Sequence, residues 1–410
     1  MVEAATQYQK GLDQLALLPD EIARNRQELE FYAALGAVLQ AVKGFAAPET
    51  GHAYDCARKL WEKLGCPLEF LHIPRGQSIY HAIRGQFGLA LRMDDDLLRV
   101  SHLRKDPARL VLAHYSCGRT LMFTGKFSSS QSHLEKALAL YDKVAHSSLV
   151  DEAGVNPYVI AQAVLGSVLF CLGYPDQALA YSNATVAEAQ RLAHQPSLAV
   201  TLAFDARLLL LVGDNAALGE RATQLIAMST EQSFAYWRAL GTIYSGWVKA
   251  KYGEMSDGIF LLRSGSAAYR AIGAAAWAPF HLGLLAGACE IAGQIDEAVT
   301  LLEDALQTIE TTGERWFEAE LNRQKGELLQ RQQESERAAE QYRRALRIAE
   351  EQGAKLWELR AAVSIARLRF HEGRPAEARD LLTPVYGWFT EGFDTQDLKE
   401  ARALLESLNT

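Results

Sequence analysis

Arginine and aromatic side chains carry the recurrent chemistry of this 410-residue chain: Tyr115, Arg119, Arg207, Trp247, Phe280, Arg323 and Arg367 come back at related positions. Arg207 and Arg367 stand 367 − 207 = 160 residues apart. A guanidinium fork grips a carboxylate in two places, and arginine and aromatic residues are enriched where proteins bind one another. The combination suits an extended, partly acidic peptide. Catalytic chemistry has less to build on. Ten histidines include no His-Glu-x-x-His and no pair at i, i+4, so no helix offers two imidazoles to zinc in that pattern. Cys66 with His72 and His81 reads better as incidental residues of an irregular helix pair than as a metal site. Gly125-Lys126 lacks both the upstream glycine and the following hydroxyl of a phosphate loop, and no Gly-x-Ser-x-Gly elbow occurs. No catalytic group, metal or cofactor is expected. Lys and Arg number 42 against 50 Asp and Glu, a net charge of −8, which argues against a nucleic-acid partner.

The elements that must present those side chains show in the glycines. Gly85, Gly125, Gly173, Gly213, Gly253, Gly293 and Gly373 are separated by 40, 48, 40, 40, 40 and 80 residues. Gln333 stands at the skipped position, and Gly44 lies one residue off the register. The interval of 48 reads as one period plus an eight-residue insertion within His146–Pro157. Gly273, Gly313 and Gly353 form a second series half a period later. Glycine takes the left-handed conformation that closes a helix, so each unit reads as two antiparallel helices. Other positions keep the register. Trp237, Trp277, Phe317 and Trp357 recur every 40 residues, and Gly118, Gly166, Ala206, Gly246, Ala286, Gly326 and Ala366 precede each unit end by seven. Small residues at fixed places let helix axes approach closely. Pro279 is expected to kink a first helix, and Asp94-Asp95-Asp96 to lie in a loop.

The small–Gly–Ala–Leu/Tyr–Ala pattern resembles the second half of the tetratricopeptide repeat (TPR), with a period of 40 in place of 34. The expected fold is all-α, a right-handed α-solenoid of TPR-like pairs, about nine or ten in number. Thr312-Gly-Glu-Arg-Trp-Phe-Glu-Ala-Glu-Leu, Gly353-Ala-Lys-Leu-Trp-Glu-Leu-Arg-Ala-Ala and Pro384-Val-Tyr-Gly-Trp-Phe stand in order. With Leu18-Pro19-Asp20 and Gly44-Phe-Ala-Ala-Pro-Glu near the start, they resemble the C-terminal array of bacterial proteins in which a class III adenylate or guanylate cyclase domain and an AAA- or STAND-type ATPase precede the repeats. The resemblance implies a regulatory array and a cyclase- or ATPase-bearing signalling partner. Neither a phosphate loop nor a cyclase-like strand pattern is present, so those activities are not carried over.

One array over 1–410 is expected: partial repeats over 1–64, irregular repeats over 65–110, regular repeats over 111–393 and a capping helix over 394–410. Gly65–Asp106 is expected to hold two degraded repeats. Taking the inner helix of each unit as the binding face places Tyr115, Arg119, Arg207, Trp247, Phe280, Arg323, Arg360 and Arg367 along one groove. The competing reading pairs these arginines with Glu320 and Glu327. A second functional reading, a small-ligand sensor of STAND type, needs a closed apolar cavity around Trp247 and Phe280. Tyr8, Leu12, Leu15 and Leu18 form an apolar stripe on a first helix, about Ala4 to Leu17, that wants a preceding helix or a second chain. Val155–Tyr174 and Ala271–Gly293 read as buried helices rather than membrane spans. The scattered thiols and the absence of an apolar leader suit a cytoplasmic protein.

Overall fold

The computed structural model describes residues 2–15, 21–67, 70 and 72–408. Among them the long elements are all helices. The order runs α1 (Val2–Leu15), α2 (Glu21–Lys43), α3 (Pro48–Lys63), α4 (His72–Ile83), α5 (Phe87–Arg104), α6 (Pro107–Phe123) and α7 (Phe127–Leu140). It continues with the short α8 (Leu149–Ala153), then α9 (Pro157–Leu172), α10 (Pro175–Leu192), α11 (Gln195–Val212), α12 (Asn215–Glu231), α13 (Ala235–Lys251) and α14 (Met255–Ala271). The chain ends in α15 (Ala278–Ile291), α16 (Ile295–Thr312), α17 (Glu318–Arg331), α18 (Ser335–Gln352), α19 (Lys355–His371), α20 (Pro375–Gly387) and α21 (Gln396–Ser407). The result is an all-α solenoid. Inner helices α2, α4, α6, α9, α11, α13, α15, α17 and α19 alternate with outer helices α3, α5, α7, α10, α12, α14, α16, α18 and α20.

Every inner helix closes at a residue of the glycine series, α2 one residue off the register at Gly44. Eight of these residues are glycines with positive φ, and Gln333 adopts φ +64° in the ninth unit-ending position. A left-handed β-carbon costs roughly 1–2 kcal/mol, part of which glycine returns through its unfolded-state entropy. Gln333→Gly is therefore expected to stabilise by ~0.5–1 kcal/mol, seen as a higher urea midpoint at unchanged slope. An unchanged midpoint would contradict the strain at this residue. The outer series is less uniform, because Lys105, Ala193 and Ser233 take the same conformation without glycine.

Close helix approach explains the small residues. A β-carbon on Gly246 would sit 2.8 Å from the Gly258 carbonyl oxygen and the Leu262 amide of the neighbouring helix. α13 and α14 thus touch backbone to backbone. Inner helices such as α9 are apolar on nearly every face because neighbours cover them all round. Outer helices carry one stripe, as Ala338, Tyr342, Ala345 and Ala349 do on α18. α11 is long and apolar enough to cross a membrane, and 61% of that stretch is buried.

Several expectations change. Residues 65–110 hold one helix pair, α4 and α5, because a full unit fills the span. Asp94 lies inside α5 and is buried. Pro279 opens α15 instead of kinking it, because Trp277 takes φ +66° just before and resets the helix start. The stripe on α1 is satisfied by the following helix: Tyr8, Leu12 and Leu15 pack with Phe31, Leu35 and Leu39 of α2. Leu12 and Leu15 are buried there and Tyr8 is half-buried. Leu18-Pro19-Asp20, and so the last member of that stripe, lie outside the described residues.

The array also closes on itself. Ala275 and Ala276 amides donate to the Ile83 carbonyl at 2.8 and 2.9 Å. Forty residues on, the Arg315 and Trp316 amides donate to the Phe123 carbonyl at 2.8 and 3.1 Å. Both spacings are 275 − 83 = 315 − 123 = 192 residues, so the end of an inner helix meets the turn that opens the inner helix five units later. The carbonyl of Leu211, in the equivalent place, accepts from Arg360 Nη2 at 2.7 Å. Near the end, the Gly392 amide donates to Asp176 at 2.9 Å. Successive turns of the superhelix are therefore hydrogen-bonded to one another.

Candidate functional site

Closure fills the axis of the array with the chain's own rings. Phe87 stacks on Phe123 at 4.7 Å, Phe123 meets Trp277 at 4.4 Å, and Trp277 meets Trp316 at 5.2 Å. Phe280, Phe317, Trp357 and Phe170 continue the column. Trp277, Phe317 and Trp357 are each at most 3% exposed, whereas Trp237 is only half-buried. The column occupies the place where an open inner groove was expected.

Arg207 lies at the head of this column and is 1% exposed. Its guanidinium carbon sits 3.4 Å from the centre of the Trp277 ring and 4.8 Å from that of Phe204. The carboxylate of Glu314 accepts from the Trp277 amide at 2.9 and 3.1 Å and from Trp316 Nε1 at 3.0 Å. Burial pushes the Glu314 carboxyl up to about 8, with Arg207 pulling the other way. Burial likewise pushes His281 down to about 3. Arg207 is a charge locked in the interior, and a partner on the surface does not reach it. Phe280, wholly buried among Trp316 and Phe317, is unavailable for the same reason.

Tyr115 and Arg119 are buried too, in a separate polar knot. Arg119 Nη2 donates to Ser78 Oγ at 2.8 Å. Ser78 and Thr120 hydroxyls donate to the two oxygens of Asp94 at 2.5 and 2.6 Å. The knot ties α4, α5 and α6 together. Burial raises the Asp94 carboxyl, and the charge of Arg119 opposes that.

Four of the expected residues, Trp247, Arg323, Arg360 and Arg367, remain at a surface. Arg323 and Arg367 line one cleft of about 330 Å³ with Arg360, Lys251, Asp397 and Glu400. α17 and α19 supply the arginines, α13 the lysine, and α21 two carboxylates. Arg323 is held by Glu320 at 2.7 and 2.8 Å and by Glu327. Arg360 grips Asp397 with two bonds of 2.7 and 2.9 Å. Arg367 meets Glu400 at 2.7 Å. The pairing of arginines with Glu320 and Glu327 is thus present. Lys251 differs: its ammonium lies 4.7 Å over the half-buried ring of Trp247, with no carboxylate in ion-pair range among the described residues. Lys251, Asp397 and Glu400 were not among the expected residues. Lys251 lies two before Gly253 and so was readable from the register. Asp397 and Glu400 sit on a helix beyond the last glycine.

The expected single surface therefore divides. Arg207, Phe280, Tyr115 and Arg119 are interior, while Arg323, Arg360, Arg367 and the lysine-covered Trp247 stand in or beside one cleft.

No protein-family profile matches the chain. An uncharacterised protein of Rhizobium meliloti (strain 1021) is 28% identical over 387 residues, covering 91% of this chain and 36% of that protein. The chain thus spans about a third of the length of that curated relative. Among solved structures, a Rap protein in complex with Competence and Sporulation Factor superposes with a TM-score of 0.62 at 13% identity, covering 86% of this chain and 98% of that one. The Cut9–Hcn1 hetero-tetramer of the APC/C gives 0.50 at 12% identity, covering 94% of this chain and 67% of the other. The fold is that of the TPR-like helical-repeat proteins.

Proposed function

We propose that this array is a non-catalytic protein-interaction module in a regulatory protein, and that the cleft of Lys251, Arg323, Arg360 and Arg367 receives an acidic segment of the partner. The observation that carries it is the convergence of four cations on one cleft, the arginines fixed in direction by their carboxylates and the lysine left over a ring. Fixed donors bind at lower entropic cost than free ones. The likeness to a Rap protein solved with a bound factor, and to a subunit assembly, supports an interaction role. The resemblance to arrays that follow cyclase and ATPase domains, and a relative about two and a half times as long, support a place beside a signalling module. The small-ligand sensor is less favoured, because Phe280 is packed into the aromatic column where its cavity would lie.

The test is a pool of peptides graded in acidic content, bound at low and high salt to the full chain and to Lys251→Glu/Arg367→Glu. Each exposed pair is worth about 0.2–1 kcal/mol, and reversal turns attraction into repulsion. Acidic peptides are expected to lose about tenfold or more in affinity, and salt to weaken the wild type by screening. Equal binding by a double mutant of unchanged helicity would overturn the reading.

A further inference from the structure

Three histidines lie together on three consecutive helices, away from the cleft: His102 at the end of α5, His114 in α6 and His133 in α7. Sequence spacing hides them, because 12 and 19 residues separate neighbours that only the folded hairpins bring side by side. His114 Nδ1 and His133 Nδ1 are 3.1 Å apart, with ring centres at 5.0 Å. The His102 ring stands edge-on to His114 at 5.9 Å, 87° between planes. His114 is 6% exposed, His133 half-buried and His102 exposed, so the pair opens toward solvent on the His102 side.

We propose that His114 and His133, with His102 beside them, form a binding site for a late first-row divalent cation such as Zn²⁺, Ni²⁺ or Cu²⁺. Two imidazole nitrogens each ~2.0–2.1 Å from one ion in tetrahedral geometry lie about 3.3 Å apart. The observed 3.1 Å is within reach of that spacing without moving either helix. Imidazole suits these metals, whereas Mg²⁺ and Ca²⁺ prefer oxygen. Among the described residues no three donors already converge on one point. The site is a two-nitrogen chelate, completed by water and by rotation of the exposed His102. Asp95 on α5 favours a cation near His133, and Lys136, one turn further along α7, opposes it. An ion here would join the outer helix of one unit to both helices of the next.

The alternative for the same geometry is a single proton shared between two neutral imidazoles, and it predicts no saturable metal binding. The experiment takes the full chain after chelation and dialysis. Zn²⁺ is titrated by calorimetry, Co²⁺ by its visible absorption, and imidazole nitrogen resonances are followed by NMR. One equivalent of Zn²⁺ is expected, with Co²⁺ bands showing nitrogen ligation and shifts confined to His102, His114 and His133. His133→Gln is expected to lower affinity about tenfold or more, and His102→Ala to lower it less, since loss even of groups outside the ligand set typically costs 10–100-fold. No saturable binding by the wild type, or resonance shifts at other histidines alone, would overturn the site. So would unchanged affinity in a folded His133→Gln. The NMR measurement decides the matter even if that variant fails to fold.

Discussion

Trp357→Ala is expected to lower the unfolding free energy by ~3–5 kcal/mol, the range for emptying a buried aromatic site. The ring is 1% exposed, packs edge-on to Phe317 at 5.4 Å and to Phe170 at 6.0 Å, and donates from Nε1 to the Trp316 carbonyl at 3.1 Å. Phe317 belongs to the preceding unit, but Phe170 lies in α9, five units earlier. A simple nearest-neighbour array would lose its C-terminal units first. Contacts between turns couple the two halves, so hydrogen exchange in Trp357→Ala is expected to rise in α9 as well as in α17 and α19. Urea unfolding like that of the wild type would show the ring is not seated as described. Protection lost only after residue 318 would show that the turns are not energetically joined.

Arg207→Ala is expected to cost ~2–5 kcal/mol, because it empties a wholly buried site packed on the rings of Trp277 and Phe204. Here Arg207 opposes the buried carboxyl of Glu314 and covers the face of Trp277. Arg207→Glu would set a second carboxylate beside Glu314 and is expected to prevent folding. Arg367→Glu provides the contrast. Its partner is the half-exposed Glu400, and an exposed ion pair is worth at most ~1 kcal/mol, so the variant should unfold nearly as the wild type does. Urea midpoints of the three variants separate the interior arginine from the surface one. Matching midpoints for Arg207→Ala and Arg367→Glu would refute the division.

Period and helix ends were legible because they depend on local rules. A left-handed residue must close each helix, and glycine does so at least cost, so Gly85, Gly125 and their successors mark the inner ends directly. Lys105, Ala193 and Ser233 were not legible, because packing of the surrounding helices holds a strained residue that its own preference does not announce. Pro279 shows the same limit: its ring fits a first helical turn as well as a kink, and the turn donating to Ile83 chose the former.

By itself, then, the sequence determined the unit: two helices, a 40-residue period, close approach at Gly246 and its equivalents, and arginines and aromatics on the inner helix. Only the tertiary structure decided what those side chains face. Arg207 and Arg367 occupy one repeat position, yet one is buried beneath Trp277 and the other stands at the rim of a cleft. The cause is superhelical curvature, a sum of small rotations at every unit interface. It brings residues 192 apart into hydrogen-bonding contact and covers one turn of the array with the next. No single repeat encodes that sum, so identical registers acquire different surroundings along the chain.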